Sequence, residues 1–137
     1  MSPAEDKMLA SKEERRTVLV VEDEVLLRLA LSEELRARGY AVVEAASGDE
    51  AQSIVLAGVT FDLVITDITM PGKLDGAAFA KWLVENNVEA PVMFASGMPS
   101  ALDQARRLCP TARAFITKPY SHDDVLDQID AVLKPNT

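Results

Sequence analysis

The chain is short of several features on which whole classes of protein depend. It has a single cysteine, Cys109, so no disulfide can form within one molecule, which fits a reducing compartment. No apolar run approaches the roughly 18 residues that a membrane-spanning helix requires. The first 16 residues mix charges and contain no hydrophobic stretch, unlike a secretory signal. These absences predict a cytoplasmic protein with no membrane insertion.

Basic residues are also scarce. Lysine and arginine number 14 against 22 aspartates and glutamates, which gives a formal net charge of −8. A chain with this excess of negative charge is poorly suited to binding the phosphate backbone of nucleic acid, so we expect no direct binding to nucleic acid. The same charge suits basic partners and divalent metal ions.

What the sequence does contain is an alternation of short apolar runs and amphipathic stretches. Its 137 residues suit one domain with one core, and we expect residues 16–137 to form that domain behind a mobile tail at 1–15. The apolar runs are rich in valine and isoleucine, as strands buried on both faces are. Strand then helix, repeated along the chain, predicts an α/β fold with a parallel sheet covered on both sides. The strands are predicted at 17–21, 41–45, 61–66, 91–95 and 114–117.

The predicted helices are bounded by capping residues. The first ends at Gly39, and the second follows Ser47, which opens a Ser-Gly-Asp-Glu capping box, and runs to about residue 58. The third starts near Asp75. The last two are predicted at 100–108 and 121–133.

Polar residues follow four of the predicted strands, at the end where open parallel sheets bind ligands. Each residue alone is most often a helix cap, a turn former or a solvated side chain. Together they predict a site at the carboxyl end of the sheet. The second strand offers only small residues at its end, as expected of an outermost strand away from the site. The residues are Glu22 and Asp23 after the first strand, Asp67 after the third, Ser96 after the fourth and Lys118 after the fifth.

The acids raise a question of energy. Two like charges about 4 Å apart repel by on the order of 4 kcal/mol at an effective dielectric constant near 20. Either a counter-charge binds among Glu22, Asp23 and Asp67, or the carboxylates point into water.

With these residues in place, the sequence resembles the receiver domain of bacterial two-component response regulators from residue 17 to about 134. The resemblance implies a flavodoxin-like (βα)5 doubly wound sheet with strand order 2-1-3-4-5, and a stand-alone, single-domain type. The stretch Phe94-Ala95-Ser96-Gly97 is similar to a subset with Phe-Ala-Thr-Gly after the fourth strand. The features that carry the resemblance are Glu22-Asp23, Asp67, Met70-Pro71, Asp75-Gly76, Ser96-Gly97 and Lys118-Pro119-Tyr120.

The resemblance also implies a role for each site residue. Asp67 accepts a phosphoryl group as an acyl phosphate, while Lys118 and Ser96 contact the phosphate oxygens. A Mg²⁺ ion neutralises charge on those oxygens and accounts for the crowding of acids. The implied metal-binding groups are Glu22 (through coordinated water), Asp23, Asp67 and the backbone carbonyl of Thr69.

Ser96 and Phe115 are implied as the switch residues that report phosphorylation to the face formed by helix 4, strand 5 and helix 5. Plain core packing is an equal alternative for Phe115. Segment 70–76 has one residue more than the usual family spacing, which leaves the position of the Thr69 carbonyl and the start of the third helix open.

The favoured function is therefore a phosphoacceptor that signals through protein contacts and is not itself an enzyme, although it assists its own phosphorylation and dephosphorylation. The expected partners are a histidine kinase or a histidine phosphotransfer protein and a downstream protein target, with the chain a monomer or weak dimer. A non-phosphorylated pseudo-receiver is the alternative. A phosphatase with an aspartyl nucleophile is disfavoured, because that family places Asp-x-Asp after its first strand.

Overall fold

A computed structural model describes residues 15–70, 72 and 74–133. The predicted tail, apart from Arg15, lies outside the described residues. Within the described part of the chain, no helix is both long and apolar enough to cross a membrane.

The structure is a five-stranded parallel sheet with strand order β2-β1-β3-β4-β5, which confirms the predicted flavodoxin-like topology. Each strand is followed by a helix, as crossovers between parallel strands require. The strands are β1 (Thr17–Val21), β2 (Ala41–Ala45), β3 (Leu63–Asp67), β4 (Val92–Ser96) and β5 (Ala114–Thr117). The helices are α1 (Val25–Ala37), α2 (Gly48–Leu56), α3 (Gly76–Glu85), α4 (Pro99–Leu108) and α5 (His122–Leu133).

Helices cover both faces of the sheet. Successive side chains of a strand point to opposite faces, so Val18 and Val20 of β1 pack under α1 and α5, while Leu19 and Val21 pack under α2 and α3. Helices α3 and α4 also share a smaller apolar cluster around Phe94. This double burial explains why the strands read as nearly continuous apolar runs.

The predicted helix signals act as expected at three helix ends. Gly39 follows α1 with a φ of 97°, in the left-handed region that glycine adopts without a steric penalty. The Ser47 hydroxyl accepts a hydrogen bond from the Glu50 N–H and caps α2. The Asp75 carboxylate accepts one from the Ala78 N–H at 2.8 Å and caps α3.

Two strands, β3 and β4, differ from their predicted bounds at both ends, and both are shifted toward the site. Strand β3 begins at Leu63. Just before it, the N–H of Asp62 donates to the carbonyl of Thr17, the first residue of the paired strand β1, so the pairing of the two strands starts here. Strands β3 and β4 continue through Asp67 and Ser96, since the backbone ladder extends to these residues. The phosphoacceptor candidate and the hydroxyl therefore lie within strands, where backbone hydrogen bonds fix them.

The described ends of the loop between β3 and α3 make close backbone contacts. The Gly76 N–H donates to the carbonyl of Ile68, and a Cβ at Gly76 would overlap with the carbonyl oxygen of Asp67. A Cβ at Gly48, where α2 begins, would likewise overlap with the carbonyl oxygen of Leu74. The start of α3 therefore lies where the sequence predicted it. Pro71 and Lys73 of this loop are outside the described residues.

Candidate functional site

The acid pair follows directly from β1. The N–H of Glu22 donates to the carbonyl of Ala45 on the neighbouring strand at 3.0 Å, so the chain stays tied to the sheet past the last strand residue. The Glu22 carboxylate accepts a hydrogen bond from the Glu24 N–H at 3.2 Å. Glu22 is 5% exposed, whereas Asp23 is half-buried. The pair therefore joins one enclosed carboxylate to one that solvent reaches.

Asp67 closes the acidic cluster from the adjacent strand. It is the last residue of β3, and its Oδ1 accepts a hydrogen bond from the N–H of Thr69 at 3.3 Å. One carboxylate oxygen from each of Glu22, Asp23 and Asp67 lies within 4.8 Å of the others. The structure thus brings together the three acids that the sequence placed at strand ends, with exposed Thr69 beside them.

Lys118 reaches the cluster from the far edge of the sheet. Its Nζ donates to Asp67 Oδ2 at 3.0 Å and to Glu22 Oε1. The Lys118 N–H bonds to the carbonyl of Ser96 at 2.9 Å, which holds the end of β5 against β4, and the Lys118–Pro119 peptide bond is cis. One ammonium group therefore links acids that come from two different strands.

Burial and pairing shift the protonation equilibria of this pair. Burial raises the pKa of Glu22 to about 7, although the hydrogen bonds from Lys118 and from the Glu24 N–H oppose the shift. Burial lowers the pKa of Lys118, but its hydrogen bonds to Glu22 and Asp67 raise that pKa further than burial lowers it. Lys118 therefore remains protonated, while burial opposes the ionisation of Glu22.

The donor set fits a hard divalent cation. The three acids offer carboxylate oxygens, the ligand type that Mg²⁺ prefers, and among the described residues no histidine or cysteine that would favour a softer metal joins them. Three carboxylates face one ammonium group, so the cluster carries surplus negative charge when all the acids are ionised. A divalent cation would compensate that surplus.

Ser96 is 1% exposed and lies at the end of β4. Its hydroxyl oxygen accepts a hydrogen bond from the N–H of Met98 at 3.0 Å. Met98 is the residue before α4, and its own side chain makes no capping hydrogen bond. Ser96 therefore connects the site end of the sheet to the residue that precedes α4.

Phe115, the other predicted switch residue, is half-buried on β5. Its ring stacks on that of Phe94 with centroids 5.8 Å apart, and the guanidinium carbon of Arg106 lies 4.9 Å from its centroid. A cation over the face of an aromatic ring is attracted to it. The ring thus contacts both a buried aromatic side chain of β4 and a charged side chain of α4.

Sequence reasoning missed two residues that support the site. Arg28 of α1 donates from Nη1 to the carbonyl of Glu22 at 2.8 Å, and its Nε lies 3.3 Å from Glu44 on β2. The edge strand therefore does reach the site, through this salt bridge and through the carbonyl of its last residue, Ala45. The available signal was the glutamate inside Ala41–Ala45, since a charge within a strand of a covered sheet requires a partner.

Comparison with known proteins agrees with this fold. The family model of the response regulator receiver domain matches residues 18–130. The chain therefore belongs to the response regulator receiver domain family, whose members are the signalling modules of two-component systems.

Among curated proteins, the chain is similar to the transcriptional regulatory protein DltR of Streptococcus agalactiae, with 35% identity over 82% of this chain and 49% of DltR. It is 38% identical to the aerobic respiration control protein ArcA of Escherichia coli over 76% of this chain and 42% of ArcA. The chain thus spans about half the length of these relatives.

Among solved structures, the chain is similar to the response regulator protein TrrA of Thermotoga maritima, described as a complex with Mg²⁺ and BeF. The TM-score is 0.75 and the identity 28%, covering 86% of this chain and 99% of TrrA. This likeness extends the family assignment to the three-dimensional arrangement of the sheet and helices.

Proposed function

We propose that this receiver domain takes a phosphoryl group onto Asp67 from a histidine kinase or a histidine phosphotransfer protein. The observation that carries the proposal is the bridge that Lys118 Nζ makes between Asp67 and Glu22, within a cluster of three carboxylates. A lysine held against a carboxylate nucleophile is placed to neutralise charge on an arriving phosphoryl group. The unit that does this is proposed to be residues 16–137.

The transfer is a displacement at phosphorus. A carboxylate oxygen of Asp67 forms a P–O bond while the P–N bond of the phosphohistidine breaks, and its electron pair goes to the imidazole nitrogen. The ring leaves as neutral imidazole because its other nitrogen carries a proton. Lys118 donates to one phosphate oxygen and the hydroxyl of Ser96 to another.

The acidic residues have a second role in this proposal. Asp23, Asp67 and the backbone carbonyl of Thr69 would hold Mg²⁺ directly, with Glu22 holding coordinated water. When bound, the ion supplies positive charge to the transferring phosphoryl oxygens. Without it, the carboxylates that surround Asp67 would repel an anionic phosphodonor.

A surface beside the site suits a docking phosphodonor. A cavity of about 320 Å³ opens next to the site and is lined by Glu24, Leu27, Lys118, Pro119, Tyr120 and His122. On the first turns of α1, Leu26 is 82% exposed and Val25 is 55% exposed. Apolar side chains beside a reactive group support a contact that positions a partner protein as well as its histidine.

Phosphate on Asp67 is proposed to be read at the opposite side of the site. A ligand shifts a conformational equilibrium only if some group binds it better in one state than in the other. Ser96 is the donor connected to the start of α4, and the ring of Phe115 on β5 contacts Phe94 of β4 and Arg106 of α4. The surface of α4, β5 and α5 is therefore the proposed contact for the downstream protein. We also propose that the chain belongs to the subset of receiver domains in which Phe-Ala-Thr/Ser-Gly follows the fourth strand.

The test is phosphorylation by a small phosphodonor, followed by mass spectrometry. Acetyl phosphate with Mg²⁺ should add one phosphate that is labile to hydroxylamine, as acyl phosphates are, and Asp67→Asn should abolish it. Asp62→Asn, which changes another carboxylate away from the cluster, should be labelled like wild type. Equal labelling of Asp67→Asn would show that Asp67 is not the acceptor, and an unlabelled wild type would favour the pseudo-receiver.

A further inference from the structure

We propose that Arg28 is a positioning residue for the metal site: its guanidinium holds the Glu22–Asp23 turn in the conformation that binds Mg²⁺, and Glu44 on β2 holds the guanidinium. The inference rests on the metal-binding part of the proposed function. It assigns a role to Glu44 on the edge strand and to Arg28 on α1, neither of which would bind the ion directly.

Arg28 joins three elements through one rigid group. Its Nη1 donates to the carbonyl oxygen of Glu22 at 2.8 Å, and its Nε lies 3.3 Å from Oε1 of Glu44. The side chain of Arg28 is 16% exposed and that of Glu44 24%, so solvent screens this pair less than an open surface pair. Because the guanidinium is planar, fixing its Nε at Glu44 also fixes the direction in which Nη1 donates.

The carbonyl of Glu22 is the important acceptor because it belongs to the peptide group that leads to Asp23. That peptide group is planar, so the direction of its carbonyl sets the direction in which the chain enters Asp23. The N–H of Glu22 is already bound to Ala45 across the sheet. With Arg28 on the carbonyl, both backbone polar groups of Glu22 are fixed, and the two acids leave the strand in one defined orientation.

Glu44 also contacts a second, more exposed arginine. Arg36 Nη2 lies 3.1 Å from Glu44 Oε2, so Arg28 and Arg36 bind different oxygens of one carboxylate. Ser32 lies between the two arginines on the same face of α1, fully buried, and its hydroxyl has no hydrogen-bond partner within the described ranges. Arg36 is 48% exposed and does not contact the acid pair, which makes it the matched control.

The direction in which Mg²⁺ affinity changes when Arg28 is removed distinguishes a positioning role from the effect of its charge. A guanidinium near the site repels a divalent cation, so removing it should tighten Mg²⁺ binding if charge is all that matters. Loss of positioning should weaken binding instead, since residues that orient metal ligands typically contribute about 10–100-fold to affinity.

The experiment is calorimetric titration of the unphosphorylated chain with MgCl2, well below the melting temperature. Arg28→Ala should raise the dissociation constant about tenfold. Arg36→Ala should stay within about twofold of wild type, as expected for an exposed ion pair. A dissociation constant for Arg28→Ala that is unchanged or lower than wild type would overturn the inference, because charge alone would then account for the result.

Two further variants keep the test decisive if Arg28→Ala does not fold. Arg28→Lys keeps the charge but cannot bind both acceptors in the same geometry, and Glu44→Gln weakens the hold on the guanidinium; both should weaken Mg²⁺ binding, and wild-type affinity in both contradicts the inference. Absence of Mg²⁺ binding by wild type overturns this inference together with the metal site. Normal binding without label on Asp67 overturns only the phosphoacceptor proposal.

Discussion

The hydroxyl oxygen of Ser96 accepts a hydrogen bond from the N–H of Met98 at 3.0 Å, at the entrance to α4. The first N–H groups of a helix have no partner within the helix, so a hydroxyl placed here stabilises the helix start. A Ser96 side chain that turned toward a phosphate on Asp67 would give up this bond. The phosphate and the start of α4 therefore compete for one side chain.

Ser96→Ala should separate phosphorylation from its structural effect. The variant should still accept phosphate on Asp67, because the nucleophile and Lys118 are intact. It should lose most of the phosphate-dependent change in α4, because no hydroxyl is left to change partners. NMR shifts of residues 97–108 upon adding beryllofluoride provide the measurement. Shifts as large as those of wild type would exclude this route.

Magnesium should stabilise the folded chain. The ion relieves repulsion among Glu22, Asp23 and Asp67, and binding to the folded state alone adds roughly 2.7 kcal/mol to the free energy of unfolding at 100 times the dissociation constant. The melting temperature should therefore rise between EDTA and excess MgCl2. NaCl at matched ionic strength controls for screening. A melting temperature that Mg²⁺ does not change would count against the metal site.

Glu22 should make the stability of the metal-free chain depend on pH. Its pKa is raised from 4.5 to about 7 by burial, so between these values the folded state keeps a proton that the unfolded state has lost. The stabilisation is present below pH 4.5 and is lost as the pH rises to about 7, by up to about 3 kcal/mol. Urea denaturation in EDTA should show this decline for wild type.

Glu22→Gln is the control for that decline, since glutamine does not titrate. The variant and wild type should have similar free energies of unfolding near pH 4.5, and the variant should be the more stable near pH 8. Equal pH dependence in the two proteins would show that Glu22 is not the titrating group.

Gly76 should tolerate no side chain. A Cβ there would overlap with the backbone carbonyl of Asp67, and backbone at the end of a sheet strand yields little. We expect Gly76→Ala to lower the free energy of unfolding by about 1–3 kcal/mol, despite alanine's better helix propensity, and to slow labelling of Asp67. Gly97→Ala is the matched control, because its Cβ would lie 3.9 Å from the Cβ of Lys118, an ordinary contact. Equal effects of the two substitutions would contradict this account.

The strands and the residues at their ends could be predicted because both depend on local pattern. In a parallel sheet covered on both faces, a buried strand is an apolar run. Its carboxyl end lies on the ligand-binding side of the sheet whatever its place in the strand order. That reasoning located Glu22, Asp23, Asp67 and Lys118, which the structure brings together. The family resemblance supplied the strand order, which the pattern alone does not determine.

The supporting contacts could not be predicted in the same way. The bond from Arg28 to the carbonyl of Glu22 requires the side-chain rotamer and the position of Glu44 on a strand that sequence pattern treats as remote from the site. The bond between Ser96 and Met98 depends on the local path of the chain between β4 and α4. Contacts of this kind depend on the relative placement of elements within fractions of an ångström, which apolar periodicity does not encode.

The bridge made by Lys118 also bears on the kinetics of folding. Lys118 is separated along the chain by 51 positions from Asp67 and by 96 positions from Glu22. The site therefore exists only after β5 has been added to a sheet that already contains β1 and β3. Contacts at such separation form late, because the intervening chain must first lose its loop entropy. An ion bound there stabilises the finished sheet more than the folding transition state, so its main kinetic effect is slower unfolding. A chain with the last strand detached would have neither the bridge nor the resistance to unfolding that depends on it.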